Sequence, residues 1–525
     1  MKREKKVPLT FRAWVSILCA SARNAPPLLR LFEPWEASHA VPGGKRRSTP
    51  HHTVGFQESC MTDHSYDLVV LGGGPGGYTA AIRATQLGMR VGLVERERLG
   101  GICLNWGCIP TKALLRNAEI IAAVRNGADW GISVDGMKID FPRVIQRSRA
   151  AADRLSKGVE FLMKKNSITV HAGYGRMVGK GQLEVKTAGG TDERLRAEHI
   201  VIATGARARS LPGVAIDRQR IISSTEAMTL PAIPQSMIVI GAGAIGVEFA
   251  HFYHTLGTKV TIVEMLPSIL PLEDRELTKE LARIFRKRGM EILTETTVQK
   301  IKPGQNDVVV SVKSPEGNKD LRADVALVAI GVQGNVENLG LEELGVAVER
   351  DKITVDRDYR TNIPGIYAIG DVVGPPWLAH VATAEGIHCV EAIAGKNPEP
   401  IDYSSIPGCT YCQPQVASIG LTEERAKELG KKIKVGKFPF RALGKAIAIG
   451  EIDGMVKLIF DAQYGELLGG HILGAEATEI IMELMIAKRH EATAESILRG
   501  VHAHPTMSEA IMEAAAAALG EPINI

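Results

Sequence analysis

The chain has 525 residues, 45% apolar and 23% charged, too long for one domain and too apolar for wholesale disorder. No stretch approaches the roughly 18 uninterrupted apolar residues of a membrane span, and seven cysteines are too few for a secreted disulfide framework. The net charge of +4 belongs to the start of the chain: residues 1–64 hold ten Lys/Arg against five Asp/Glu, which leaves −1 for residues 65–525 and no basic face for nucleic acid.

Residues 1–64 read unlike the rest. Pro26-Pro27, the GGKRR run at Gly43–Arg47 and the lack of any sustained period predict a disordered basic extension, or residues upstream of the real start. The apolar patch Trp14–Ala20 behind MKREKK is too short and mixed for a signal peptide, and Glu4, Glu33 and Glu36 disagree with an acid-poor transit peptide. The expected compartment is the cytoplasm, with the mitochondrial matrix as the second reading. Met61 stands five residues before the first expected core strand, where a compact form of the chain would begin.

From Tyr66 the chain runs YDLVVLGGGPGGYTAAIRATQLGMRVGLVE: an apolar strand, a glycine cluster, a helical pattern and a second strand ending in Glu95. The same order returns as SMIVIGAGAIGVEFAHFYHTLGTKVTIVE, from Ser236 to Glu264, at a constant offset of 169. In each copy the first glycine (Gly72, Gly241) allows the tight turn out of the strand. The second (Gly74, Gly243) lets backbone approach a pyrophosphate at a helix N-terminus, and the third (Gly77, Gly246) permits close helix–strand packing. The terminal acid accepts from ribose hydroxyls. Two copies in strand–turn–helix–strand context predict two dinucleotide sites. At the second, Glu264 would repel a 2′-phosphate, and Met265-Leu266-Pro267 offers no arginine to offset it, so NAD is favoured over NADP.

Between the repeats lies LGGICLNWGCIPTKALL, with Cys103 and Cys108 five apart and a helical run beginning near Pro110. At that position Cys108 meets the positive end of the helix, which favours a thiolate, and Lys112 follows four residues later on the same face. The bland alternative is a pair of buried apolar cysteines. Near the other end, HAHPT places His504 before a proline, which biases it to extended backbone. Glu509 follows, and Thr506-x-x-Glu509 also reads as a capping box. Cys409 and Cys412 form a CxxC with no second pair to complete a zinc site, so they are expected to be packed structural residues. Cys19, Cys60 and Cys389 have no visible partner, and no metal is expected.

GGICLNWGCIPTKALL resembles the redox-active disulfide segment of the class I flavoprotein pyridine nucleotide-disulfide oxidoreductases. Its IPTKALL ending is similar to the dihydrolipoamide dehydrogenase branch of that family. The resemblance covers residues 65–525 and includes IVIATGA (Ile200–Ala206), TNIPGIYAIGDVVGPPWLAH (Thr361–His380) and HAHPTMSEA (His502–Ala510). It implies an α/β fold of two Rossmann-like units, for FAD and NAD, with a C-terminal α+β dimerisation domain. The expected division is FAD-binding at 65–210 and 335–405, NAD-binding at 211–334, and interface at 406–525.

The resemblance further implies that Cys103 and Cys108 form the redox disulfide, Cys103 as interchange thiol and Cys108 facing the flavin. His504 is the implied base, Glu509 orients it, and His502 stands behind. FAD would be held by Gly72, Gly74, Gly77, Glu95, Lys112, Gly175, Thr204, Gly205, Asp371 at the ribityl chain, and Ala379. Gly241, Gly243, Gly246, Glu264, Val298 and Gly331 would hold NAD, and Glu248 would pair with Lys112. Implied partners are dihydrolipoyl domains of 2-oxoacid dehydrogenase acyltransferase subunits and a second copy of the chain, sharing an active site in a homodimer.

Two departures stand out. Trp106 replaces a small apolar residue and could narrow the dithiol channel or alter its potential, and Val381 stands where a lysine often follows LAH. A glutathione-reductase-like enzyme also carries His-Pro-Thr but prefers NADP, which Glu264 opposes. Mercuric reductase would need a C-terminal cysteine pair, and this chain ends EPINI. Soluble transhydrogenase usually lacks the cysteine present at Cys103. A flavin-binding structural subunit would need a missing catalytic group.

Overall fold

The computed structural model describes residues 62–190 and 192–525. The expectations placed on residues 1–61, with Cys19 and Cys60, lie outside the described residues. Strand β1 (Thr62–Leu71) begins earlier than the core strand expected near Tyr66, because its first residues pair with Glu193–Ala197 before the apolar Leu68–Leu71 run enters the core.

After β1 come helix α1 (Pro75–Gln86), β2 (Val91–Glu95), a short helix α2 (Gly101–Trp106), α3 (Cys108–Arg125) and the long α4 (Phe141–Lys165). The strands β3 (Thr169–Ala172), β4 (Tyr174–Gly179), β5 (Gln182–Lys186) and β6 (Glu193–Ile202) follow. They form one sheet in the order β3-β2-β1-β6-β5-β4, parallel through its first four members and antiparallel at β5 and β4. The central runs Leu68–Leu71 of β1, Leu93 and Val94 of β2 and Ile200–Ile202 of β6 are apolar on both faces, as burial on both sides of a parallel sheet requires.

The chain leaves through β7 (Ala206–Ala208) and enters a second parallel sheet with β8 (Ile221–Ile222), helix α5 (Ser224–Ala227), β9 (Ser236–Ile240), α6 (Ala244–Leu256), β10 (Lys259–Val263), α7 (Arg275–Lys287) and β11 (Glu291–Leu293). A three-stranded antiparallel sheet of β12 (Thr297–Pro303), β13 (Val308–Ser314) and β14 (Gly317–Ala323) is inserted before β15 (Val325–Val328). The parallel order is β11-β10-β9-β15-β8. Then β16 (Val332–Gly334) pairs antiparallel with β7, so the exit and return strands lie side by side.

Past the small hairpin of β17 (Val348–Glu349) and β18 (Lys352–Ile353), β19 (Ile366–Ala368) adds to the second half of β6 and completes the first sheet. Helix α8 (Ala379–Ile393) packs tightly on α1: a methyl on Gly76 would lie 2.9 Å from the Ala382 carbonyl oxygen.

The C-terminal sheet has the antiparallel order β20-β21-β24-β23-β22, from β20 (Gly408–Thr410), β21 (Gln415–Gly420), β22 (Ile433–Pro439), β23 (Met455–Asp461) and β24 (Leu467–Gly474). Helices α9 (Glu423–Glu428), α10 (Gly444–Ala448), α11 (Ala477–Arg489), α12 (Ala494–Arg499) and α13 (Glu509–Leu519) complete it. One apolar cluster joins helix α3 to the second parallel sheet and the C-terminal sheet: Leu114 and Leu115 of α3, Phe249 and Tyr253 of α6, and Cys412, Val416 and Leu473 pack in a continuous core.

Candidate active site

The two glycine turns superimpose in detail. Gly72 and Gly241 take φ of 112° and 95°, in the left-handed region, and a Cβ there would lie 2.3 Å from the Ala203 oxygen or 2.5 Å from the Ala329 oxygen. A Cβ on Gly77 or Gly246 would reach 1.9 or 2.0 Å from the carbonyl of the first glycine, so both positions need glycine for helix and strand to touch. The middle glycines behave differently. Gly74 and Gly243 are N-caps of α1 and α6, with no side-chain cap, and a methyl would meet nothing closer than 3.9 Å at Gly74 and nothing within 4 Å at Gly243. Each leaves open space and uncapped N–H groups where a pyrophosphate fits.

The two acids do more than the sequence revealed. Glu95 accepts from the Gly73 and Glu97 backbone N–H groups, both at 2.8 Å; Glu264 accepts from Ala242 at 2.7 Å and Leu266 at 2.9 Å. These donors also obey the 169-residue offset. Each acid therefore braces its own turn, and a carboxylate with about four acceptor sites retains capacity for ribose hydroxyls.

The other expected cofactor residues gather less uniformly. Asp371 lies in the turn before α8, its carboxyl accepts nothing from the described residues, and burial pushes its pKa up to about 6. Such a carboxyl fits hydroxyl donors from a ligand. The preceding Gly370 N–H donates to buried Glu385 at 2.6 Å, which Tyr403 also reaches at 2.6 Å; sequence reading did not single out this support. Ala379 opens α8, and Gly175 on β4 abuts Leu71 and Val94 at the ends of β1 and β2. Thr204 and Gly205 are stitched to Asn335 by three hydrogen bonds of 2.8–2.9 Å, where the chain re-enters the first unit. Gly331 (φ 110°) accepts from the Arg209 N–H, and Val298 packs on the cluster of Ile240 and Val263.

Helix α3 starts at Cys108 itself, two residues ahead of the expected start, and Cys103 sits in α2, a helix the glycine-rich sequence did not announce. Long-range bonds hold that helix. Asn105 donates to the Leu99 and Gly101 carbonyls, Ser156 of α4 also reaches Leu99, and Arg149 of α4 donates to the Asn105 carbonyl at 2.7 Å. The Arg149 guanidinium lies 4.8 Å from the Trp106 ring centre, so the unusual tryptophan is engaged by α4.

Cys103 and Cys108 are unbonded thiols in this structure. The Cys103 thiol donates to Cys108, which holds Cys108 below the ordinary thiol range and Cys103 above it, and the Lys112 cation also favours the Cys108 thiolate. Lys112 meets Glu248 of α6 at 2.8 and 2.9 Å. Cys412 is fully buried and donates to the Pro414 carbonyl, while burial raises the pKa of its neighbour Cys409 to about 11.

At the far end, His504 Nδ1 lies 2.9 Å from Glu509 Oε1, leaving Nε2 directed away on an exposed side chain. Glu509 Oε2 accepts from the Thr506 N–H at 2.7 Å. Burial works against this carboxylate, but that N–H and His504 hold its pKa below the usual value. The expected capping box is half made: α13 begins at Glu509 after Ser508, and the Thr506 hydroxyl donates instead to Ala503. His502 is tied to Glu483, and its charge also favours the Glu509 carboxylate. Within one chain, no hydrogen bond or ion pair among the described residues joins His504 and Glu509 to the cysteine pair.

Residues 66–386 match the family described as pyridine nucleotide-disulphide oxidoreductase, and residues 406–515 match its dimerisation domain. The chain belongs to the pyridine nucleotide-disulphide oxidoreductase family. It is 49% identical over 478 residues to a dihydrolipoyl dehydrogenase of Rhizobium etli, covering 88% of this chain and 99% of that protein. A mitochondrial dihydrolipoyl dehydrogenase of Arabidopsis thaliana is 42% identical, with 90% of this chain and 93% of the relative covered. Among solved structures, LpdA of Mycobacterium tuberculosis superimposes with a TM-score of 0.80 at 27% identity, covering 87% of this chain and 99% of its own. The HOCl-induced flavoprotein disulfide reductase RclA of Escherichia coli gives 0.77 at 28% identity, over 86% and 99%. Among the described residues, no helix is long and apolar enough to cross a membrane.

Proposed function

We propose that this family member is a dihydrolipoamide:NAD+ oxidoreductase, reoxidising dihydrolipoyl groups on the acyltransferase subunits of 2-oxoacid dehydrogenase complexes in the cytoplasm. The observation that carries the reading is the cysteine pair across the α2–α3 junction, beside the Lys112–Glu248 pair and between two matched dinucleotide turns. FAD belongs at the Gly72–Gly77 turn with Asp371 and Lys112; NAD belongs at the Gly241–Gly246 turn with Glu264. The parts 65–210 with 335–405, 211–334 and 406–525 serve as FAD, NAD and interface units.

The dimerisation domain supports a homodimer, and in it His504 of one subunit serves the disulfide of its partner. His504, oriented by Glu509 through Nδ1, takes a proton from a substrate thiol at Nε2. The resulting thiolate attacks Cys103 Sγ, breaking the Cys103–Cys108 bond and leaving Cys108 as a thiolate beside Lys112. His504 passes its proton to the departing Cys103 sulfur and takes that of the second substrate thiol, whose sulfur attacks the substrate's first sulfur in the mixed disulfide. Lipoamide leaves, and Cys103 and Cys108 together hold the two electrons. Bound FAD supplies the route by which that electron pair passes to NAD+ as hydride.

NADH formation from dihydrolipoamide by the flavin-loaded protein tests this. Turnover with NAD+ and none from glutathione with NADP are expected, and His504→Ala should lower the dihydrolipoamide rate by about 100-fold or more. Full flavin content without turnover would overturn the assignment.

A further inference from the structure

The lysine next to the redox pair is held by more than its carboxylate partner. The Lys112 ammonium lies 4.3 Å from the centre of the Tyr411 ring, in the connection between β20 and β21 of the C-terminal sheet. The backbone N–H of the same Tyr411 donates at 2.9 Å to Glu248 Oε1, one of the two oxygens that Lys112 contacts. One residue thus grips both members of the ion pair: the cation by its ring face and the anion by its main chain. Glu248 is buried, whereas the Lys112 side chain is one-third exposed (33%). Ring faces attract a cation, the more strongly as water is excluded.

We propose that Tyr411 is a positioning residue of the redox centre, keeping the Lys112 ammonium between its ring and Glu248 so that the charge stays turned to Cys108. The three units then meet at one cation: Lys112 from the flavin unit, Glu248 from the nicotinamide unit and Tyr411 from the C-terminal unit. This inference rests on the dithiol chemistry proposed above for Cys103 and Cys108. The groups facing Lys112 and Tyr411 are Glu248 of α6, Cys103 of α2, Cys108 of α3, Cys409 of β20, Cys412 after it and Glu479 of α11. Among them Lys112 is the cation that favours the thiolate, and Glu248 opposes it. The phenol stays neutral because burial raises its pKa to about 12, so it is the ring rather than a phenolate that meets the ammonium.

The test is the pH profile of iodoacetamide capture at Cys108, read on its peptide by mass spectrometry, in reduced full-length protein carrying Cys103→Ser. Tyr411→Leu should move the profile to higher pH and slow capture at pH 7 by about three- to tenfold, the range that about 0.7–1.4 kcal/mol gives. Tyr411→Phe keeps the ring and should stay within about twofold of the parent. If Tyr411→Leu does not fold, Tyr411→Met fills the same space without a π face and should show the same shift. In a Lys112→Met background the change at Tyr411 should have no further effect. Profiles that coincide with the parent, or a shift that persists without Lys112, would overturn the proposal. Turnover of dihydrolipoamide by the unmutated protein is assayed alongside. Its absence, with the alkylation pattern intact, would defeat the proposed activity and leave the role of Tyr411 standing.

Discussion

Asp371 shows how burial alone changes the protonation of a single carboxyl. In its folded surroundings burial raises its pKa from 3.8 to about 6, so the folded chain binds that proton more tightly than the unfolded chain does. Its unfavourable effect on stability therefore begins as the pH rises past about 4 and is complete above about 6. Flavin-stripped protein should lose thermal stability across that window, and Asp371→Asn should flatten the loss. Equal pH slopes in the two proteins, followed by calorimetry, would contradict this account. Other roles at this scale were only half legible. Glu95 and Glu264 could be found by their spacing, but their grip on the glycine turns depends on a return of the strand that no local pattern encodes. Tyr411 was hidden for the same reason: it lies 163 residues from Glu248 along the chain and carries no motif of its own.

At the scale of elements, the repeated strand–turn–helix was the most legible feature, because close packing forces glycine at fixed positions in both copies. Its two copies should nonetheless fail differently. Gly77→Ala places a methyl 1.9 Å from the Gly72 oxygen, and Gly246→Ala places one 2.0 Å from the Gly241 oxygen. The first should yield protein with little flavin. The second should remain yellow while its KM for NAD+ rises about tenfold or more, since overpacking of this kind costs roughly 1–3 kcal/mol. Absorbance at the flavin band and steady-state kinetics separate the two. Helix α2 was not legible. GGICLNW has little helical preference, and the segment is held as a helix by Arg149 of a distant helix at the Asn105 carbonyl and by Ser156 at the Leu99 carbonyl just before it. The start of β1 was missed through a similar override, since Thr62–Tyr66 is polar and takes its strand form from pairing with β6.

For the whole molecule, the seam between helix α7 and the C-terminal sheet contains a buried ionic knot. Lys457 of β23 is 1% exposed and meets Asp274, the N-cap of α7, at 2.9 Å, Glu423 at 2.7 Å and Glu276 at 3.2 Å. Burial works against its charge, but the three carboxylates hold its pKa above the ordinary lysine value. Lys457→Met should destabilise the protein by about 3–5 kcal/mol, because it strands these carboxylates without their cation. The melting temperature should fall markedly, and unchanged melting would show that the seam rests on apolar packing alone.

The junction of β6 with β19 carries a consequence for how the molecule is made. Along Ile200–Ile202 the edge of β6 is covered only by Ile366–Ala368, about 160 residues further on. A ribosome adding about 5–20 residues per second needs about 8–30 s to supply that cover. Throughout that interval the nascent first sheet has one bare hydrophobic edge, while the second parallel sheet, continuous from β8 to β15, emerges with all its strands. Synthesis therefore delivers the middle of the molecule complete before its beginning, and a message cut short before Ile366 would leave an open strand edge prone to pairing with other chains.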